Sequence, residues 1–488
     1  MEKHAGTITD ETVAQLRAQI GEELVGNDQP YIEAAGKDAI RHFAFGMGDF
    51  NPLWLDETYA KKSRFGGLTA PPCILYAAGY HRHHGLRGAH GLHAGGTWEW
   101  YRPIRVNDQF TSKCYLSDVK EKQGRFGGRE IIQIWRVDYK NQTGELIASC
   151  FMWTIRADRS AAQSKGKNAD LQKQVYTDQQ IRDIERQVMH HTEQGDIPRL
   201  WSQVQVGDAL PPLVKGPITT NDIIAYCMGW GGGGNPYHYS HSLNLIYRRQ
   251  HPGAATKNPQ GIPDIPARVH WEDDYAQRSG LPWAYDLGPQ RISWMSQLMT
   301  DWVGDDGFLK KMDVQLRSVN FVGDTTFCKG EVTRKFVEGD EALVECRLWA
   351  ENQRGEKAVQ GTAVASLPQS APARPALRLV RETPPSGAQS AKCACVVDGG
   401  MIEMEDGTGL RYEEFHAPSV WAPGGAVARR LNQRLVQDKV VQFVPVRKDQ
   451  YGRFVAKVWV DGVSPAQTIQ QDLLARGYRL SAADEGEG

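Results

Sequence analysis

Two stretches of the chain share one pattern, in which an apolar run long enough for a buried helix precedes a series of alternating apolar and polar positions. In the first stretch the apolar run starts at residue 73, and the alternating runs cover 98–100, 110–119, 129–139 and 146–155. In the second stretch the apolar run covers 291–302, and the alternating runs cover 314–321, 326–336, 341–350 and 358–367. Alternation with a period of two predicts strands that bury one face. The pattern therefore predicts two units, each built from one buried helix and an antiparallel sheet.

Turn sequences also recur between the two stretches. Residues 141–145 read Asn-Gln-Thr-Gly-Glu and residues 352–356 read Asn-Gln-Arg-Gly-Glu, about 210 positions later. Residues 106–108, Val-Asn-Asp, match residues 322–324, Val-Gly-Asp, at the preceding turn. Repeats at a fixed spacing indicate duplicated structural units. We therefore expect two similar domains that pack together as an internal pseudo-dimer.

Two further segments are predicted to contain helices. Residues 8–26 place Val13, Leu16, Ile20 and Leu24 at helical spacing, which predicts an amphipathic helix. Residues 159–195 are mostly polar, so we expect a linker with a helical piece near 179–190.

A loop with turn-forming residues precedes the first apolar run. Gly46, Gly48, Asn51 and Pro52 all disfavour regular structure, so we expect Asp49 to lie on a tight loop. An aspartate in such a position often does no more than brace the turn.

The segment 48–54, Gly-Asp-Phe-Asn-Pro-Leu-Trp, resembles the hydratase loop of the MaoC-like family of hot-dog-fold enoyl-CoA hydratases and dehydratases. The pattern of that family is Gly-Asp-any-Asn-Pro-apolar-His. The resemblance implies that Asp49 is the catalytic aspartate and that Asn51 contacts the substrate. Trp54 stands where the family has its catalytic histidine, so the first copy lacks half of the Asp/His dyad.

The second copy keeps the other half of the pattern. Asn235-Pro-Tyr237-His238 matches its Asn-Pro-apolar-His end, and Gly233 stands at the aspartate position. The match resumes about 30 residues later at His270. The resemblance implies that His238 or His270 is the catalytic histidine, with His238 favoured by its Asn-Pro context. The resemblance also implies substrate contacts, which we assign to Asn235, Tyr237, Asp286 and Arg291. Three carboxylates are candidates to replace the aspartate that the second copy lacks: Asp264, Asp274 and Asp286.

The chemistry explains why a histidine and a carboxylate are needed together. Addition of water to an enoyl thioester requires a base that activates water and an acid that protonates the α-carbon. The enolate oxygen requires a donor, which N–H groups at the start of a buried helix can supply. The expected function is therefore acyl-CoA hydratase/dehydratase, with a hot-dog thioesterase or a non-catalytic acyl-CoA-binding or assembly protein as alternatives.

A third unit follows the two repeated ones. Its residues 393–480 resemble the staphylococcal-nuclease-like family, whose fold is an OB-type barrel. Residues 397–400, 410–411, 415–418, 449–453 and 460–462 carry the resemblance. It implies that Arg411 and Arg453 are the two family arginines and could bind phosphate. The calcium-ligand positions hold Gly400 and His416, and the general-base position holds Ser419. We therefore expect a barrel used for interaction, with no metal site.

The predicted fold class is α+β: two tandem hot-dog domains, in which an antiparallel sheet wraps one helix, followed by a small OB-type β-barrel. The predicted divisions are a first hot-dog domain 1–158, a linker 159–195, a second hot-dog domain 196–370 with an inserted loop near 239–269, a linker 371–390, the barrel 391–481 and a tail 482–488.

Composition and charge indicate which binding partners and which cellular compartment to expect. The 488 residues carry a formal net charge of −1, which argues against general nucleic-acid affinity. The sequence has no apolar run of membrane-spanning length and no signal-peptide core near Met1, and its eight cysteines are scattered through apolar segments. We therefore expect a cytoplasmic protein with reduced thiols and no cofactor, which binds acyl-CoA and forms a homo-oligomer or engages a partner protein through its C-terminal domain.

Overall fold

The structure is a computed structural model of the chain. It describes residues 8–24, 30–79, 86, 89–123, 129–157, 171–231, 240–251 and 255–480. The description below refers to these residues.

The first half combines short helices with four long strands. The helices are α1 Asp10–Arg17, α2 Lys37–Met47, α3 Pro52–Leu55, α4 Glu57–Ala60 and, after a 3₁₀ turn at Pro72–Ile74, α5 Leu75–Gly79. The strands are β1 His90–Trp100, β2 Thr111–Gln123, β3 Arg129–Lys140 and β4 Leu146–Ala157. The predicted helix over 8–26 is thus shorter than expected, because the chain leaves the helix after Arg17 and Ile20 bridges to Leu116 of β2.

Helix α6, Asp178–His190, precedes the second half and agrees with the helical piece predicted near 179–190. The second half again combines helices with long strands. Its strands are β5 Ala209–Lys215, the short pair β6 Thr256–Lys257 and β7 Pro263–Asp264, β8 Phe308–Leu316, β9 Thr326–Glu338, β10 Glu341–Asn352 and β11 Lys357–Ser366. Its helices are α7 Thr220–Trp230, α8 His241–Gln250, α9 Asp273–Arg278 and α10 Gly288–Val303, with 3₁₀ turns at Trp201–Gln203 and Pro266–His270.

One nine-stranded sheet joins the two halves. Its order is β2-β3-β4-β1-β8-β11-β10-β9-β5, with antiparallel pairing throughout. Counted outward from the β1–β8 seam, the first half runs β1-β4-β3-β2 and the second runs β8-β11-β10-β9. The strand order of the first half therefore recurs in the second half.

The two recurring turn sequences fold in the same way. The N–H of Asn141 donates to the carbonyl oxygen of Glu145 at 3.0 Å, and the N–H of Asn352 donates to that of Glu356 at 3.0 Å. At the other turn Asn107 and Gly323 both have positive φ, 69° and 97°. The sequence repeat is therefore also a repeat of backbone geometry.

Helices α2 and α7 cross at two glycines. A Cβ on Gly46 would lie 2.7 Å from the carbonyl oxygen of Ala225, and a Cβ on Gly229 would lie 2.5 Å from that of His42. Gly46 was predicted to break regular structure, but it lies inside helix α2. The crossing explains its presence there, because the close approach of the two helices needs a residue without a side chain. Helix α10, which covers the predicted apolar run 291–302, is buried along nearly its whole length.

The C-terminal region forms a closed five-stranded barrel. Its strands are β12 Gln389–Asp398, β13 Met401–Met404, β14 Gly409–Tyr412, β15 Val440–Lys448 and β16 Phe454–Trp459, in the order β12-β13-β14-β16-β15. Two helices accompany it, α11 Gly425–Val436 and α12 Pro465–Ala475. All eight cysteines of the chain are free thiols. Across the described parts of the chain, no helix has the length and apolar character needed to cross a membrane.

Candidate functional site

Asp49 lies on the predicted loop, directly after helix α2. Gly48 ends the helix in the left-handed conformation, with φ 66°. The carboxylate of Asp49 is 2% exposed; its Oδ1 accepts from the N–H of Asn51 at 3.0 Å and its Oδ2 accepts from Nε1 of Trp54 at 3.0 Å. Asn51 in turn caps helix α3 by accepting from the N–H of Leu53 at 3.0 Å. Hydrogen bonds within the loop therefore hold its shape, and the tryptophan in the histidine position bonds directly to the aspartate.

Two more carboxylates from distant parts of the chain reach Asp49. One oxygen each of Asp49, Glu193 and Asp301 lies within 4.8 Å of the others. Nε2 of His191 lies 2.9 Å from Oδ2 of Asp301, and its Nδ1 lies 3.1 Å from the carbonyl oxygen of Pro212. The fold thus brings a carboxyl, a His–Asp pair and a further glutamate into one buried group.

Positive charges accompany these carboxylates. Nζ of Lys215 donates to the carbonyl oxygens of Met47 at 2.8 Å and Gly48 at 3.1 Å, at the end of helix α2. Arg430 forms an ion pair with Glu193. The spacing of the three carboxylates would suit a divalent cation, but lysine, arginine and histidine already compensate their charge. The cluster is therefore better suited to proton transfer than to metal binding.

Burial and charge shift the protonation of this cluster. Burial, together with the carboxylates of Asp301 and Glu193, raises the pKa of Asp49 to about 8. Burial lowers the pKa of the Lys215 ammonium below its usual value. Burial alone would lower the pKa of His191, but the hydrogen bond and charge of Asp301, together with the charge of Glu193, outweigh burial and the pKa is raised. A carboxyl that titrates near neutral pH close to an imidazole with a raised pKa is typical of acid–base sites.

A cavity of about 310 Å³ lies beside this cluster. His191, Glu193 and Lys215 line it directly. Its other walls come from the end of helix α2, strand β5, helices α7 and α10, and Arg429 of the barrel. Three charged groups of the cluster therefore face a space large enough for a small organic group, and Asp49 lies between two lining residues, Gly48 and Phe50.

The predicted second-copy residues have separate outcomes. Asn235, Tyr237 and His238 lie outside the described residues. His270 is half-buried at the end of its 3₁₀ turn; its Nδ1 lies 2.8 Å from the carbonyl oxygen of Tyr285, and the rings of these two residues are 4.8 Å apart. The catalytic role of either histidine stays a prediction.

Asp286 and Arg291 lie inside the core, where they form an ion pair of 2.8 Å with each other. Arg291 also donates to the carbonyl oxygens of Ser318 and Ala358. Burial raises the pKa of Asp286 to about 7. These contacts tie the start of helix α10 to the sheet, and the predicted substrate contacts of both residues stay predictions.

The two barrel arginines lie close to each other. Arg453 pairs with Asp449 at 2.7 Å and donates to Sδ of Met401 at 3.3 Å. Met401 is the cross-strand partner of Arg411. Their predicted phosphate binding stays a prediction, and Arg453 already has a carboxylate partner.

The barrel docks on the first two-thirds of the chain through buried polar contacts. Oδ2 of Asp56 accepts from the N–H of Gly424 and from the hydroxyl of Tyr478, each at 2.8 Å. Arg430 donates to the hydroxyl of Tyr59 at 2.7 Å, and that hydroxyl donates to Asp305 at 2.6 Å. Helix α11 is therefore built into the structure and is not a free surface.

Sequence reasoning missed most of the cluster. His191 and Glu193 belong to the segment predicted as a linker, Lys215 ends a strand, and Asp301 lies near the end of a buried helix. Alone, none of these residues stands in a recognisable motif. A signal was present only for Asp301, as a charged residue inside an apolar helical run.

Comparison with known families identifies two classes of domain in the chain. Residues 18–150 match the family described as FAS1-like, dehydratase domain region. Residues 412–485 match the family described as staphylococcal nuclease homologue. The chain thus contains a MaoC-like dehydratase region at its N-terminus and a staphylococcal-nuclease-like domain at its C-terminus, as the loop and barrel residues predicted.

Individual relatives match parts of this chain. UPF0336 proteins of Streptomyces griseus and Streptomyces coelicolor are 26% and 24% identical over 140 and 155 residues, or 27% and 30% of this chain and 90% and 99% of those proteins. Among solved structures, a MaoC-like dehydratase is 19% identical with a TM-score of 0.49, covering 73% of this chain and 100% of its own. A MaoC-like dehydratase from Phytophthora capsici is 13% identical with a TM-score of 0.41, covering 72% and 98%.

Proposed function

We propose that this protein catalyses the reversible addition of water to the double bond of an enoyl-CoA-type thioester. One observation carries the proposal. The loop that resembles the hydratase loop buries Asp49, whose pKa of about 8 lets it exchange a proton close to neutral pH, near a His–Asp pair whose histidine lines a cavity.

The roles of the groups follow from their charges. Asp49 accepts a proton from the attacking water in its ionised form, whose fraction grows as the pH rises towards its pKa of about 8. His191, whose pKa Asp301 helps to raise, donates a proton to the α-carbon. His191 thus replaces the histidine that Trp54 displaces from the loop, while His238 and His270 remain the alternatives from the second copy.

We also propose that the two halves are tandem hot-dog domains and that the barrel has a non-catalytic role. The recurring strand order and the matching turn geometry support the first proposal. The docking of helix α11 beside the cluster supports the second, because it gives the barrel a structural task.

Hydration of crotonyl-CoA tests the proposal. The reaction is monitored by the loss of enoyl absorbance and, in parallel, by a free-thiol assay. Loss of absorbance without thiol release is the expected result, whereas thiol release would indicate a thioesterase. Asp49→Asn and His191→Gln should each lower the rate by roughly 10²–10⁴. His238→Ala and His270→Ala test the second-copy alternatives, and the assignment fails when Asp49→Asn keeps the wild-type rate.

A further inference from the structure

The basic groups around the 310 Å³ cavity each pair with a carboxylate, with one exception. The pairs are His191 with Asp301, Arg430 with Glu193 and, by electrostatic coupling, Lys215 with Asp49. Asp222, at an exposed position on the cavity wall, accepts from the N–H and the hydroxyl of its own helix cap, Thr219, each at 2.7 Å.

Arg429 is the exception. It comes from helix α11 of the barrel, is 5% exposed and lines the cavity. Its Nε donates to the carbonyl oxygen of Val397 at 3.2 Å and one terminal nitrogen donates to that of Met189 at 2.7 Å. Among the described residues it has no carboxylate within ion-pair distance, and the centre of its guanidinium lies 5.2 Å from the ring of Phe50. The carboxylates of Glu193 and Asp398 attract it only from beyond ion-pair distance, so an anion that bonded to this buried guanidinium directly would stabilise it.

The helix opposite Arg429 also offers unused polar atoms. Gln290 and Gln297 lie two turns apart on one face of α10, line the cavity and are 1% and 4% exposed. Within the described part of the chain, Oε1 of each has no hydrogen-bond partner. Buried amide oxygens without partners are rare, so a ligand that donates hydrogen bonds would satisfy them.

We propose that the acyl group of the substrate carries a carboxylate, which Arg429 of the barrel binds inside this cavity. A guanidinium binds a carboxylate through two parallel N–H donors, and burial strengthens the interaction. The hydroxyl that hydration adds to such an acyl group would then donate to Gln290 or Gln297. The barrel is thus a specificity-determining part of the site, and this inference rests on the proposed function.

Binding of saturated thioesters tests this inference without any reaction. Glutaryl-CoA and butyryl-CoA carry the same CoA, and their acyl groups end in a carboxylate and in a methyl group. Isothermal titration of the full-length protein should give a dissociation constant roughly 10–100-fold lower for glutaryl-CoA, as expected of a charge-assisted hydrogen bond. Arg429→Gln should abolish that preference, Arg429→Lys should retain part of it, and Arg447→Gln, which changes an exposed arginine of the same barrel, should leave it intact.

The outcomes separate this inference from the proposed function. Equal binding of the two thioesters, or a preference that survives Arg429→Gln, overturns the role of Arg429 even if crotonyl-CoA is hydrated. A preference that Arg429→Gln removes supports it even if no hydration occurs. Absence of binding by either thioester overturns both. Thermal melts of each variant show whether the barrel stays docked.

Discussion

Nε1 of Trp54 donates a hydrogen bond of 3.0 Å to Oδ2 of Asp49, at the position where the resembled family has its histidine. The indole therefore keeps one property of the imidazole, an N–H that orients the carboxylate, and lacks the other, a nitrogen that exchanges protons. This substitution explains how the loop keeps its geometry while the acid–base partner comes from elsewhere in the chain.

Replacing Trp54 with Phe should destabilise the protein, because it leaves a buried carboxylate oxygen without its donor. We expect the free energy of unfolding to fall by about 1–3 kcal/mol, measured by urea denaturation. Asp49→Ala, which removes the acceptor, and the double variant complete a mutant cycle. Additive effects of the two substitutions would show that the hydrogen bond contributes nothing to stability.

The raised pKa of Asp49 gives stability a definite pH dependence. An ordinary Asp titrates at 3.8 and Asp49 at about 8, so between these values the folded protein holds a proton that the unfolded chain releases. Stability from this group is present below pH 4 and falls as the pH rises towards 8. Asp49→Asn should remove that loss and flatten the curve by up to about 1.4 kcal/mol per pH unit. Urea denaturation between pH 5 and 8 measures it, with exposed Asp38→Asn as the control.

Arg430 should be essential for docking of the barrel. Replacing it with Leu leaves Glu193 buried without a counter-charge and removes the donor to Tyr59. We expect a loss of about 3–5 kcal/mol in chemical denaturation. The double variant Arg430→Leu/Glu193→Leu should recover much of the loss, because no uncompensated charge remains. A double variant as unstable as the single one would show that the ion pair itself stabilises the interface.

The barrel should not cleave nucleic acid. Gly400 offers no oxygen ligand, His416 suits calcium poorly, and Ser419 cannot act as a carboxylate base. Full-length protein incubated with DNA or RNA and calcium should leave both intact. Calcium-dependent degradation that chelation stops and Arg411→Gln abolishes would contradict this prediction.

Turns and loops that are closed by hydrogen bonds between residues near in sequence could be predicted from the sequence. The Asn-Gln-any-Gly-Glu turns at 141–145 and 352–356 close through their own asparagines, so their identity is visible in five consecutive letters. The same holds for the loop at Asp49, where the Asn51 cap and Pro52 lie within a few residues.

The cluster around Asp49 could not be predicted in that way. Its members come from four separate segments, and only the packing of helix α2 on β5 and α10 brings them together. Asp286 and Arg291 show the converse problem. Their polarity suggested a ligand contact, but sequence alone does not reveal that each is the buried partner of the other.

The seam between β1 and β8 sets the order in which the chain can fold during synthesis. Across that seam the hydroxyl of Thr97 donates to Asp313 at 2.7 Å, between residues 216 positions apart. At translation rates of roughly 5–20 residues per second, β1 would wait on the order of 10–40 s for its partner. Throughout that interval it is an open strand edge of the kind that pairs with other chains. Nascent chains of this protein should therefore depend on chaperones at one definable stage, after the first half has emerged from the ribosome and before β8 has followed it.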